Sequence, residues 1–214
     1  MKINVLITCG ATWTAIDDVR VISNISTGEM GHLIAKAFKR AGARVTVIEG
    51  PVTHSLSDRG IKIIKYRFFD ELAGLLKAEL VKKYDVVIHA AAVSDFRVGK
   101  VNKNKITSAK PLTLRLVRTP KLIEQIKLLS PESFLVGFKL GSRLDPKNIF
   151  KTVKTLFSKS GCDLVVANTL KNGYQGYIVN ADGEVLSKTD CKQTLAKELL
   201  KYVSLRAKRS NDTR

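Results

Sequence analysis

The stretch Gly28-Glu29-Met30-Gly31-His32-Leu33-Ile34-Ala35-Lys36-Ala37-Phe38-Lys39-Arg40-Ala41-Gly42, followed at once by Val45-Thr46-Val47-Ile48, decides how the chain folds. Met30, Leu33, Ile34, Ala37, Phe38 and Ala41 recur at the helical interval that places residues three and four apart on one face, and Gly42 is a stop signal just past the last of them. The apolar run 45–48 then reads as a strand. Upstream, residues 3–8 form a second apolar run of strand length that ends in Cys9-Gly10-Ala11-Thr12 and a polar loop. The order is strand, long loop, helix, strand.

That alternation continues. Residues 61–66 read as a strand, Leu72, Leu75, Leu76, Leu80 and Val81 mark a helix closed by Lys82 and Lys83, and 85–88 begin another strand. Strand 112–117, helix 120–129 with Pro120 at its start, strand 134–138, helix 149–157 and strand 163–167 follow. Residues 177–186 carry Asp182-Gly183 between two apolar runs, a hairpin signal, and a helix over 194–203 closes the series. Repeated strand–helix units with near-continuous apolar strands require a sheet covered on both faces. The prediction is an α/β fold: a doubly wound, mostly parallel Rossmann-like sheet with a C-terminal β-hairpin. One domain is expected over residues 1–204, followed by a basic, disordered tail over 205–214.

With 214 residues and 44% apolar composition the chain can bury a substantial core. No run approaches the ~18 consecutive apolar residues that suggest a membrane span, and the N-terminus leads directly into a strand, so a cytoplasmic protein without membrane contact is expected. Cys9, Cys162 and Cys191 are odd in number and lack Cys/His clustering, which argues against a disulfide framework or a zinc site. His32, His54 and His89 are isolated in sequence, so neither a metal ligand nor a catalytic role is assigned to them. Asp17 and Asp18 could bind magnesium, but adjacent residues seldom point the same way and an exposed turn is the expectation.

The formal charge is +18, and it is unevenly spread. Between Phe96 and Ile123 stand eight Lys or Arg and no acid. Within that segment residues 97–110 show no periodicity and read as a long mobile loop of the kind that forms lids. Residues 19–31 place Asn24, Ser26 and Thr27 ahead of the helix at Met30, with Gly28 and Gly31. Side-chain oxygens there are expected to cap the helix, and its remaining N–H groups and dipole make a site for an anion such as phosphate. His89-Ala90-Ala91-Ala92-Val93-Ser94-Asp95 ends the fourth strand in small residues that let a ligand lie against the backbone, with Asp95 at a strand's carboxyl end.

Two other functional classes stay open on these residues. An NAD(P)-dependent oxidoreductase would use a Gly-rich first turn, but G-x-G-x-x-G is missing, although Glu49 at the end of the second strand could hold a ribose hydroxyl. A nucleic-acid-binding protein would stack bases on aromatic residues of the basic stretch, and residues 97–121 contain none.

Taken together, the residues resemble the phosphopantothenoylcysteine synthetase (phosphopantothenate-cysteine ligase) family of coenzyme A biosynthesis. The likeness runs through Leu6-Ile7-Thr8 with Gly10 and Thr12; Ile16-Asp17 with Val19-Arg20; Ile22-Ser23-Asn24 with Ser26, Gly28, Met30 and Gly31; Gly50-Pro51-Val52; residues 90–97; Lys105-Ile106; Gly137-Phe138; and Val166-Ala167-Asn168. Gly137-Phe138-Lys139-Leu140 is similar to the stand-alone members, which implies a decarboxylase on a separate chain. The resemblance implies a ligase that activates the carboxylate of 4'-phosphopantothenate as an acyl-nucleotide (acyl-cytidylate), with CTP the expected co-substrate and ATP the alternative. Mg2+ accompanies the nucleotide, cysteine then displaces it, and pyrophosphate and CMP are released. It implies that Asn24 hydrogen-bonds the activated acyl group, that Lys105 of the loop stabilises developing charge, and that Ala90, Ala91, Asp95, Pro120 and Phe138 line the nucleotide pocket. Ser26 and Ala92 join Asn24 at the substrate; Gly28 and Gly31 are assigned there by the helix-terminus argument alone. Among the lysines of 147–159, Lys159 is the choice for phosphate. A homodimer is implied by the hairpin 177–186.

The sequence departs from the family in places. Its loop usually reads Lys-x-Lys-Lys, whereas Thr107-Ser108 follow Lys105-Ile106, so Lys103 or Lys110 is left to compensate. Glu29 stands where Lys is common, Thr119 and Lys121 flank Pro120 in place of Asn and Asp, and Thr169 follows Asn168 in place of Asp.

Overall fold

The computed structural model describes residues 3–141, 144–145 and 148–211, with side chains as far as Leu205 at the C-terminal end. The first apolar run forms β1 (Asn4–Cys9), and the stretch after the long loop forms α1 (Glu29–Arg40) and β4 (Arg44–Glu49). Two short strands, β2 (Trp13–Ala15) and β3 (Val21–Ser23), pair antiparallel inside the loop between β1 and α1. There follow β5 (Ile61–Lys65), α2 (Phe69–Leu80), β6 (Val86–His89), β7 (Phe96–Val98), β8 (Leu116–Arg118), α3 (Ile123–Leu129) and β9 (Phe134–Leu140). The chain ends with α4 (Ile149–Ser160), β10 (Leu164–Thr169), β11 (Gln175–Asn180), β12 (Val185–Thr189) and α5 (Lys192–Asn211).

Eight strands make one sheet in the order β12-β11-β10-β9-β6-β1-β4-β5. From β10 to β5 every neighbour is parallel, while β11 and β12 run antiparallel as a hairpin at the end of the sheet. The doubly wound fold and its hairpin are as the sequence predicts. Numbering only the parallel strands, the order is 3-2-1-4-5-6, and it reverses between β1 and β6, the switch point where such sheets bind ligands outside the carboxyl ends.

Both faces of the sheet are buried, which explains the unbroken apolar strands. Val5, Ile7, Val45, Val47, Val86, Ile88 and Val166 face Ile34, Ala35 and Phe38 of α1 and Leu195 and Leu199 of α5. Their alternates Leu6, Ile48, Val87, Leu135 and Val165 face Leu72 and Leu76 of α2, Ile126 of α3 and Val153 of α4. This is the period-2 alternation of a strand read twice, once for each helical layer.

Three local expectations differ. The predicted strand 112–117 narrows to β8, which pairs with β7, so the first residues of the predicted loop are strand and only 99–115 lack regular structure. Helix α3 starts three residues after Pro120, and α5 runs past 203 to Asn211, into the first part of the basic tail.

Candidate active site

At the switch point the turns after β1 and β6 are laced together. Ala90 N donates to Thr8 O at 3.0 Å, Ala92 N to Gly10 O at 2.8 Å and Thr12 N to Ala92 O at 3.4 Å, while Ser94 N donates to Thr12 Oγ1 at 2.8 Å. Small side chains are needed here because the two backbones bond directly. Thr8 Oγ1 shares a hydrogen bond of 2.9 Å with His89 Nδ1 and accepts from Ala91 N at 3.3 Å, so it ties the imidazole to the turn after β6. Burial pushes the pKa of His89 down to about 4, which keeps the ring neutral beneath the site.

The β2–β3 hairpin carries Asn24 onto this framework. Asn24 Nδ2 donates to Ala92 O at 3.2 Å and Val93 O at 3.4 Å, so the two sequence-predicted turns, far apart in the chain, meet through one side chain. Ser26 is half-buried in the same turn, and Ile25 beside it is 99% exposed. The N-cap of α1 differs from the expectation. Gly28 fills it in the left-handed conformation (φ 74°), and no side chain caps it. Thr27 Oγ1 accepts only weakly from Glu29 N at 3.4 Å, so among the described residues no side chain takes the N–H groups of Met30 and Gly31. An uncapped helix start is better suited to an incoming anion than a capped one. Gly28 and Gly31 are also packing requirements: a Cβ on Gly28 would lie 2.3 Å from Val52 Cγ1, and one on Gly31 would lie 2.3 Å from Cys9 Cβ.

The basic loop is tied down close to this turn. Asp17, expected on an exposed turn, is 4% exposed. Its carboxylate accepts from Val19 N at 3.0 Å, Arg20 N at 2.8 Å and, across the chain, Ile106 N at 3.0 Å, with the Arg20 guanidinium 3.3 Å away. The Ile106 N–H first, then those of Val19 and Arg20, hold the Asp17 carboxyl below its ordinary pKa against the opposing effect of burial. Asn102 N donates to Ile16 O at 3.2 Å as a second tether. Exposed Lys105 therefore sits next to an anchored residue. Sequence reasoning missed this latch, although an Asp followed by two residues whose N–H groups can turn back on it is a recognised turn signal.

Asp95 is exposed, pairs with Lys121 at 2.5 Å and accepts Thr119 N on its backbone oxygen at 3.0 Å. Thr119 Oγ1 donates to Ser94 O at 2.6 Å, so the two departures from the family pattern both brace the Ser94–Asp95 turn, with exposed Pro120 between them. Glu29, another of the departures, pairs with Lys192 of α5 at 2.5 Å. Phe138 is half-buried near the carboxyl end of β9, beside the exit of β6.

Lys159 falls elsewhere. Helix α4 runs antiparallel to the strands, and Lys159 is in its last turn, ten residues or about 15 Å from the helix start at the ligand-binding edge. The exposed lysines Lys151 and Lys154 on the first turns are nearer that edge, and Lys147 lies outside the described residues. Glu49 is fully buried and accepts from His32, from Leu56 N at 2.8 Å and from Lys65. Buried beneath α1 with these donors on it, the carboxylate is not open to a ribose hydroxyl, which removes the residue that supported an NAD(P) oxidoreductase. A cleft of about 860 Å³ opens at the ends of β4 and β5, lined by Trp13, Pro51, Lys65, Tyr66 and Arg67. Among the described residues no helix is long and apolar enough to cross a membrane.

Residues 1–205 match the family described as DNA/pantothenate metabolism flavoprotein C-terminal domain. The coenzyme A biosynthesis bifunctional protein CoaBC of Thermococcus kodakarensis is 44% identical over 168 residues, covering 78% of this chain and 41% of that protein. The chain thus spans less than half the length of that curated relative. Among solved structures, the DNA/pantothenate metabolism flavoprotein from Streptococcus pneumoniae superposes with a TM-score of 0.85 at 26% identity, covering 95% of this chain and 99% of that one. A Cab2 mutant in complex with phosphopantothenate-cysteine superposes with a TM-score of 0.78 at 18% identity, covering 99% and 89%, a likeness of fold alone.

Proposed function

Because the chain belongs to the DNA/pantothenate metabolism flavoprotein C-terminal domain family, we propose that it is a ligase of coenzyme A biosynthesis joining 4'-phosphopantothenate to cysteine, with CTP preferred over ATP. The observation that carries this reading is the junction at the switch point, where Asn24 on the substrate turn bonds the carbonyls of Ala92 and Val93 in the small-residue turn after β6. The relative from Thermococcus kodakarensis, named for coenzyme A biosynthesis, supports the same pathway.

A carboxylate resists an amine until one of its oxygens becomes a leaving group. In the proposed first step a carboxylate oxygen of phosphopantothenate attacks the α-phosphorus of the nucleotide and pyrophosphate departs. In the second the cysteine amine attacks the acyl carbon and the nucleoside monophosphate departs with the former carboxylate oxygen. No side-chain nucleophile is required. The uncapped N–H groups at the start of α1 receive an anionic group of the substrate, the Asn24 amide orients the acyl group, and the loop carrying Lys105 lays positive charge over the phosphates as the bonds break. The turn after β6, with Asp95 and Phe138, receives the nucleoside; Lys151 and Lys154 replace Lys159 as the α4 candidates for phosphate. Mg2+ would accompany the triphosphate and supply positive charge against its phosphates. Asp17 is not available to it, since backbone N–H groups and Arg20 occupy both oxygens.

The chain is further proposed to be a homodimer through the hairpin end of the sheet, where β12 is an edge strand. Light scattering that finds only a particle of the 23.6 kDa chain mass at micromolar concentration overturns this. For the activity, pyrophosphate release is measured with phosphopantothenate, cysteine and each nucleotide in turn. Release with CTP exceeding that with ATP is expected; release with neither rejects the ligase reading.

A further inference from the structure

Among the described residues, one group of three metal-capable side chains comes together: Cys9 from the end of β1, His32 from the first turn of α1 and Glu49 from the end of β4, each offering a ligand atom within 4.8 Å of the others. We infer that these three residues bind one divalent transition-metal ion of the zinc class, beneath the first turn of α1.

The donor set is specific. A thiolate, an imidazole and a carboxylate together suit zinc or its close neighbours and not magnesium or calcium, which take oxygen ligands. A tetrahedral ion with bonds of about 2.0 to 2.3 Å sets its ligand atoms roughly 3.5 Å apart. The three donor atoms already lie within 4.8 Å of one another, and a water would complete the fourth position. Glu49 is already oriented as an outer shell would orient it: Lys65 pairs with Oε2 and is itself held by Ser55 Oγ at 2.9 Å, while Leu56 N donates to Oε1 at 2.8 Å. His32 Nε2 lies 2.7 Å from Oε1 and would move apart from it to admit the ion between them.

Packing sets the three residues against one another. Because Gly31 has no side chain, α1 rests directly on Cys9 and brings His32 over it. Cys9 and Glu49 are buried, whereas the His32 side chain is 13% exposed and offers a way in. Cys9 is a free thiol, closed off from solvent. Binding exchanges the thiol proton for the ion: the S–H bond breaks, an S–metal bond forms, one proton goes to solvent, and no oxidant or reductant is consumed. Glu49 and Lys65 already offset one another, so the thiolate and the divalent ion add a single net positive charge. The ion would fasten β1, β4 and the helix start that carries the anion turn into one unit.

The test uses the full chain, freed of metal by chelation, reduced with a phosphine and titrated anaerobically with Co2+. One Co2+ per chain is expected, with one proton released, visible bands of tetrahedral cobalt, a thiolate-to-cobalt band in the near ultraviolet, and displacement of the spectrum by Zn2+. Cys9→Ser should abolish the near-ultraviolet band. His32→Gln, at a partly exposed helix position, should weaken binding by at least the roughly 10- to 100-fold that even outer-shell losses cost, and it serves alone if Cys9→Ser does not fold. Cys191→Ser and His54→Gln should change nothing. The inference is overturned if wild-type protein gives no thiolate band at micromolar Co2+, if the band survives Cys9→Ser, or if His32→Gln binds as wild type does. The readout is the metal spectrum, so the result stands apart from the ligase reading.

Discussion

Lowering the pH from 7.5 to 4.5 should destabilise the protein through His89 by an amount fixed by its burial. The imidazole is neutral in the folded chain down to a pKa of about 4, whereas in the unfolded chain it takes up a proton near its ordinary 6.5. The unfolded state therefore binds more protons across that window, and stability falls as the pH falls. Above pH 6.5 the contribution is fully present; below pH 4 it is gone. The 2.5-unit gap corresponds to about 3.4 kcal/mol at 1.36 kcal/mol per unit, of which about 2.5 kcal/mol is lost by pH 4.5. Carboxylates titrate over the same range, so the assay compares wild type with His89→Gln by urea unfolding at each pH. The variant starts weaker, because it gives up the Thr8–His89 bond, but its stability should decline less steeply, the two curves converging by about 2.5 kcal/mol between pH 7.5 and 4.5. Parallel curves would refute the assignment of a buried neutral histidine. Acid should also blunt activity in wild type before global unfolding, since Thr8 links His89 to the amide of Ala91 in the site.

Lys105→Gln should leave stability within ~0.5 kcal/mol while lowering kcat on the order of 10² to 10³, checked by steady-state kinetics beside thermal melts. Asp17→Asn weakens the acceptor that holds Ile106 N, so trypsin should cut after Lys103 or Lys105 faster than in wild type, with circular dichroism unchanged; equal cleavage rates would show that the latch does not hold the loop. Gly31→Ala drives a methyl against Cys9 and should cost about 1 to 3 kcal/mol by overpacking, read as a shift in denaturant midpoint at constant slope.

The doubly wound sheet was legible because each central strand is buried on both faces, which writes an unbroken apolar run into the sequence. The hairpin was legible because Gly183, at φ 89°, needs a conformation that glycine tolerates. What escaped was small or spatial. Strands β2 and β3 have three residues each, and Val21–Ser23 is exposed throughout, so neither run is long enough to show a period. The resemblance to the family leaves several lysines of 147–159 to choose from, and a helix between parallel strands must run back along the sheet, which puts Lys159 in the last turn at the far edge. Cys9, His32 and Glu49 come from three separate elements, and no spacing rule links them; only the parallel pairing of β1 with β4 and the close approach at Gly31 bring them together. Asp17 looked like a surface turn because its partner Ile106 lies on the other side of β6 in sequence.

The most direct test of the ligase reading is mass-spectrometric detection of the amide formed from phosphopantothenate and cysteine. With CTP, Mg2+ and both substrates present, the product mass should appear in step with pyrophosphate, and with cysteine withheld an acyl-cytidylate should accumulate instead. If the complete mixture yields neither the amide nor the acyl-nucleotide with CTP or with ATP, the site assembled by Asn24, the turn after β6 and the Lys105 loop does not perform this reaction.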